Sequence, residues 1–137
     1  MPFKKNFIVS LVFLFSACSS SDNYPPVENA LDAGRQFIDA IFKGNFKRAE
    51  MLLLDDGKNQ ALLKTNMEDA FHKRTSADRN ELAQSSITIL ANEDVVRDSM
   101  TIINFINSYD HKPAVLKVVK HNGTWLVDLK YTFSGNL

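Results

Sequence analysis

The stretch Val115–Phe133, VLKVVKHNGTWLVDLKYTF, places Asn122-Gly123 between two runs of alternating apolar and polar residues. Asn-Gly is the strongest short-range hairpin signal, because a type I′ turn needs positive φ at both central residues. A two-residue loop sets His121 opposite Thr124, and the register follows. Lys120 then faces Trp125, Val118 faces Val127, Leu116 faces Leu129 and Ala114 faces Tyr131 on one side. On the other side Val119 faces Leu126, Lys117 faces Asp128 and Val115 faces Lys130. A slip of one residue would break both the apolar pairs and the Lys117/Asp128 charge pair, so this register is strongly specified. The expected core side carries Trp125, Val127, Leu129, Tyr131 and Phe133.

Upstream of the hairpin the sequence changes period. Ile87 and Ile89 begin a first strand, and Val95 to Tyr109 reads as a second, long one. Its later half is apolar on both faces, as a bulge or two-sided burial would make it. Before these strands TSADRNELAQ (75–84) reads as a polar loop, and before that loop the period is helical. A first helix opening at Pro26 carries Val27, Ala30, Leu31, Gly34, Phe37, Ile38, Ile41 and Phe42 in one stripe. Gly44 suits its C-terminus and Asn45 the N-cap of a second helix, from about Phe46 to Leu54. A third, about Asn59 to Arg74, carries Leu63, Met67, Ala70 and Phe71 on one side. Helices first and a strand meander last predict an α+β fold with N-terminal helices packed on a curved antiparallel sheet of about four strands. The chain of 137 residues has room for one such domain, expected over residues 26–137.

Residues 1–17 have the layout of a secretory signal peptide: Lys4 and Lys5, the apolar run FIVSLVFLF (7–15), then Ser16 and Ala17. That run is far shorter than the ~20 residues a spanning helix requires. The motif FSAC (15–18) resembles the lipobox of bacterial lipoproteins, although Phe15 stands where that class favours leucine. The resemblance implies a diacylglyceryl group on Cys18, cleavage before it and acylation of the new amino terminus. Ser19, in place of aspartate, implies the outer membrane, with the protein lipid-anchored in the cell envelope and facing the periplasm. Cys18 is the single cysteine of the chain, so it has no internal disulfide partner. Residues 18–25 are then the lipidated cysteine and a flexible polar tether, and the membrane is a partner through the anchor.

FIDAIFKGNFKRAEMLL (37–53) resembles the opening helix pair of nuclear transport factor 2-like (cystatin-like cone) domains, and VVKHNGTWLVDL (118–129) resembles their late hairpin. More narrowly, the chain looks like uncharacterised bacterial lipoproteins that display such a domain. The resemblance implies a cone with a pocket between the long helix and the curved sheet. Some members use that pocket for acid–base chemistry on small apolar substrates, and many are binding or assembly modules. Fold alone does not choose among these.

The residues themselves offer little chemistry. Without residues 1–17 the chain has 14 basic residues against 16 acidic, so no basic field exists to attract a nucleic acid. A proton-transfer site needs an inward carboxylate and a donor for a developing oxyanion. Asp98 is the one candidate carboxylate, read as sharing a strand face with Met100 and Ile102, and Tyr109 or Tyr131 would supply a hydroxyl. Asp98, Tyr109, Trp125 and Tyr131 are thus the candidate pocket residues. His72, His111 and His121 show no metal-ligand spacing, and neither a cofactor motif nor a nucleophile signature is present. The expected function is a non-catalytic interaction or assembly domain on a membrane-anchored lipoprotein. The alternatives are a binding module for a small apolar ligand and an isomerase- or dehydratase-like enzyme. Val115, Val119 and Leu126, on the hairpin face opposite Trp125, form the candidate interface for a second copy or another envelope protein.

Overall fold

The structure is a computed structural model and describes residues 23–134. It is α+β: helices come first, and an open antiparallel sheet of four strands in the order β1-β2-β3-β4 follows. The strands are β1 (Ile87–Val96), β2 (Met100–Asn107), β3 (Pro113–His121) and β4 (Thr124–Asp128).

The first helix, α1 (Ala30–Phe42), begins later than Pro26. Asn29 caps it, its Oδ1 accepting the Asp32 N–H at 2.9 Å, while the carbonyls of Pro25 and Pro26 are engaged by side chains elsewhere. Asn45 caps α2 (Phe46–Met51) as expected, and Gly44 between the two helices has φ of +70°. The second helix stops short of Leu54 because the chain there joins the edge of β4. Val127 N–H donates to Leu52 O and Leu54 N–H to Val127 O, at 2.8 and 2.9 Å, which covers an otherwise open sheet edge.

The third helical segment runs as α3 (Gly57–Leu62), a π-helical stretch at Leu63–Glu68, and α4 (Asp69–His72). The polar stretch read as a loop is instead α5 (Ser76–Gln84). Thr75 caps it, accepting the Asp78 N–H at 3.1 Å. Leu82 is its one buried residue, which is why no apolar stripe announced it.

Residues 95–109 are not one strand. A turn at Arg97–Ser99, with Asp98 at φ +57°, separates β1 from β2. No glycine or asparagine marks that turn in the sequence. The two-sided apolar pattern reflects burial on both faces of β2, where Ile102 is 8% and Ile103 0% exposed; the register shifts lie opposite, in β1.

The terminal hairpin has the expected register from His121↔Thr124 to Lys117↔Asp128, and Asn122 and Gly123 both have positive φ. Beyond Asp128 the expectation fails. Leu129–Thr132 forms a helical turn, α6, so Leu129, Lys130 and Tyr131 have no partners on β3. The cause is a polar clasp: buried Asn59 accepts the Leu129 N–H at 2.8 Å, and Asp128 accepts the Lys130 N–H at 3.2 Å. Val127 and Leu129 are fully buried as expected, Trp125 and Tyr131 are half-buried, and Phe133 is 40% exposed.

Helix α1 lies directly on the sheet. A Cβ at Gly34 would stand 2.5 Å from Ile103 Cδ1, so the helix approaches closely only because that position has no side chain. Phe37, Ile103, Leu116, Val118, Val127 and Leu129 fill the interior.

Candidate apolar binding cleft

Near Gly34 the helix and sheet touch, but towards the C-terminal end of α1 they part. Phe37, Ile38, Ile41 and Phe42 form one wall of a cleft of about 240 Å³. Phe105 of β2 and Ala114–Leu116 of β3 form its floor, Asn66 and Met67 of the π-helical stretch close one side, and Thr132 and Phe133 stand at the rim. None of these side chains ionises. A π-helical stretch turns its side chains away from regular helical positions and recurs at functional sites; here it brings Met67, flexible and polarisable, to the cleft.

The rim is held by the polar clasp. Asp56 caps α3 by accepting the Asn59 N–H at 2.8 Å, and its other oxygen takes the Asn59 side-chain amide at 3.0 Å. Lys130 Nζ reaches the same Asp56 oxygen at 2.6 Å and lies 3.7 Å from Asp128, which also faces Lys117 at 3.6 Å. Asn59 is fully buried and satisfied on both sides of its amide. The turn it anchors carries Thr132, whose hydroxyl donates to Val115 O at 2.8 Å.

The hydrogen bond from Lys130 holds the Asp56 carboxyl below its usual 3.8, and Asp56 in turn raises Lys130 above 10.5. A depressed carboxyl adds stability that is complete above its unfolded value and lost as pH falls through the folded one. Stability is therefore expected to drop on acidification below about pH 4, and Lys130→Met should flatten that drop. Urea unfolding followed across this range would check it; equal pH profiles for the two proteins would show that the pair does not act.

The candidate pocket residues do not meet in this cleft. Asp98 sits in the β1–β2 turn with its side chain 87% exposed, so it does not share the inward face of β2, and the reading of an inward base is corrected. It shares a shallow depression with Trp125 and the start of α1. Tyr109 lies past the end of β2 beneath the Arg74 guanidinium, 5.3 Å from its ring, and Tyr131 is half-buried on α6. Neither tyrosine lines the depression that holds Asp98.

The candidate interface is also changed. Val119 and Leu126 pair across the hairpin as expected, but both are half-buried, and Val115 is only 3% exposed because the Leu129–Thr132 turn packs on its strand. Cys18 lies outside the described residues. Among the described residues no group of three or more His, Asp or Glu side chains is arranged to hold a metal ion.

The resemblance implied a pocket between helix and sheet, but the residues that wall the cleft went unread because they come from five separate elements. Phe37, Ile41, Phe42 and Met67 were legible as apolar stripes, but a stripe looks the same whether its neighbours fill the space or leave a gap. No protein-family model, curated protein or solved structure matches the chain.

Proposed function

We propose that this chain is a membrane-anchored bacterial envelope lipoprotein whose domain holds a small apolar ligand, without catalysing a reaction on it. The observation that carries the reading is the cleft between α1, the π-helical stretch and β2–β3, walled mostly by phenylalanine, aliphatic and methionine side chains with no ionisable group among the described residues. Catalysis by proton transfer requires a titratable group at the substrate; an uncharged apolar wall offers burial alone. The cleft volume is just under the ~300 Å³ at which pockets for drug-sized ligands begin, which suits a short chain or a single ring. Its position between the first helix and the sheet agrees with the resemblance to cone-shaped nuclear transport factor 2-like domains. The leader and lipobox motif supply the anchoring half of the reading. The covering of Val115 weakens the assembly reading, so ligand binding is preferred over it.

A chain beginning at Ser19 retains every described contact, since all of them lie within residues 23–134. Toluene, an uncharged single-ring probe, is expected to bind it saturably at one site in a calorimetric titration. Ala114→Phe, which projects a ring from the cleft floor, should abolish that binding while the protein remains folded. Absence of saturable binding, or equal binding by the variant, would remove the reading.

A further inference from the structure

We infer that the groove beside the N-terminal strap rests on the surface of the lipid bilayer, which fixes the orientation of the domain; this inference rests on the proposed lipidation of Cys18. The tether is shorter than its composition suggests. From Tyr24 onward the chain is strapped to the domain: the Arg48 guanidinium lies 4.7 Å from the centre of the Tyr24 ring, and its Nη2 donates to Pro25 O at 3.1 Å and to Gln36. Tyr24 and Asn45 exchange hydrogen bonds at 3.2 and 3.3 Å, and Gln36 donates to Pro26 O at 3.3 Å. Arg48 is nearly buried by these contacts. Cys18 precedes Asn23 by only five residues, so their Cα atoms lie within about 18 Å whatever path the chain takes. A lipid on Cys18 sits at the headgroup level, and the domain cannot stand far from it.

Asn23 lines a groove with Tyr24, Pro25, Arg48, Met51 and the β3–β4 turn that ends in Trp125. None of the described residues walling that groove is acidic. Met51 is 56% exposed, one of the most exposed large apolar side chains among the described residues. Trp125 is half-buried with Lys120 Nζ 5.3 Å from its ring centre. An amphipathic tryptophan, a cation above it and an exposed methionine suit the boundary between headgroups and acyl chains, where each buries its apolar part and keeps its polar part wet. Asp94 and Asp98 of the neighbouring β1–β2 hairpin line a depression with Trp125, so it is Arg48 in the groove and Lys120 over the ring that favour anionic headgroups there. The apolar cleft lies at the β2–β3 end of the strands, at Phe105 and Ala114, whereas Trp125 stands beside the β3–β4 turn at their other end.

Trp125 is the single tryptophan of the chain, so its emission reports on this face alone. The experiment takes the lipidated protein reconstituted in vesicles of phosphatidylethanolamine and phosphatidylglycerol, some carrying a headgroup nitroxide. Trp125 emission is expected to be quenched by the nitroxide and to shift to shorter wavelength relative to a chain beginning at Ser19. Met51→Asp should reduce the quenching while the protein still floats with the vesicles. A protein that floats with the vesicles but shows no quenching overturns the orientation and leaves lipidation standing. A wild type recovered in the soluble fraction removes both.

Discussion

Phe37→Ala is expected to lower the unfolding free energy by about 3 to 5 kcal/mol, the usual cost of removing a buried phenylalanine ring. Phe37 is 1% exposed, sits on the face of α1 that meets the sheet, and belongs to both the core and the wall of the cleft. Its loss leaves a cavity that the backbone cannot close, because Gly34 one turn earlier already holds the helix against Ile103. The vacated space would join the existing cleft. The variant should therefore be less stable yet accept a bulkier apolar probe than the wild type does. Urea titration measures the first effect and probe titration the second; a loss under about 1 kcal/mol would mean that the ring does not pack as described.

Asn59→Ala is expected to cost about 2 to 4 kcal/mol, since it leaves the buried Leu129 N–H without an acceptor and removes a donor to the Asp56 carboxylate. The damage should spread to the rim, because the turn at Leu129–Thr132 exists only while Asn59 draws the chain away from β3. Asn59→Asp separates the two roles. It keeps an acceptor for Leu129 but sets a second carboxylate beside Asp56, so burial and like charge raise its folded pKa. A raised carboxyl loses stability as pH rises, and Asn59→Asp should therefore recover stability as pH falls, unlike Asn59→Ala. Parallel pH profiles for the two variants would show that position 59 is not buried beside the Asp56 carboxylate.

The hairpin was the most legible part of the fold because Asn122-Gly123 forces one turn geometry, and that geometry dictates its neighbours. It misled where a distant residue intervened. Alternation continues through Leu129, Tyr131 and Phe133 as if the strand went on, but Asn59, seventy residues earlier, takes the Leu129 N–H and ends it. Local periodicity carries no trace of such a contact. The turn at Arg97–Ser99 was missed for a local reason: Asp98 adopts positive φ without the glycine or asparagine that usually signals it. Helix α5 was missed because it buries only Leu82, although its cap, Thr75 with Asp78 three residues on, was present in the sequence. The resemblance implied a pocket between the long helix and the sheet, but the residues lining the apolar cleft were not legible, since a cavity is a failure of several stripes to meet, and each stripe alone looks like core.

Methyl resonances of a chain beginning at Ser19, recorded while toluene is added, test most directly whether the cleft is a binding site. Ligand binding in the cleft predicts saturable shifts concentrated on Ile38, Ile41, Met67, Ala114, Val115 and Leu116, with the methyls of Val118, Val127 and Val95 little changed. Shifts scattered over the surface, or centred on Val95, Val96 and Leu126 and absent from the cleft methyls, would contradict it.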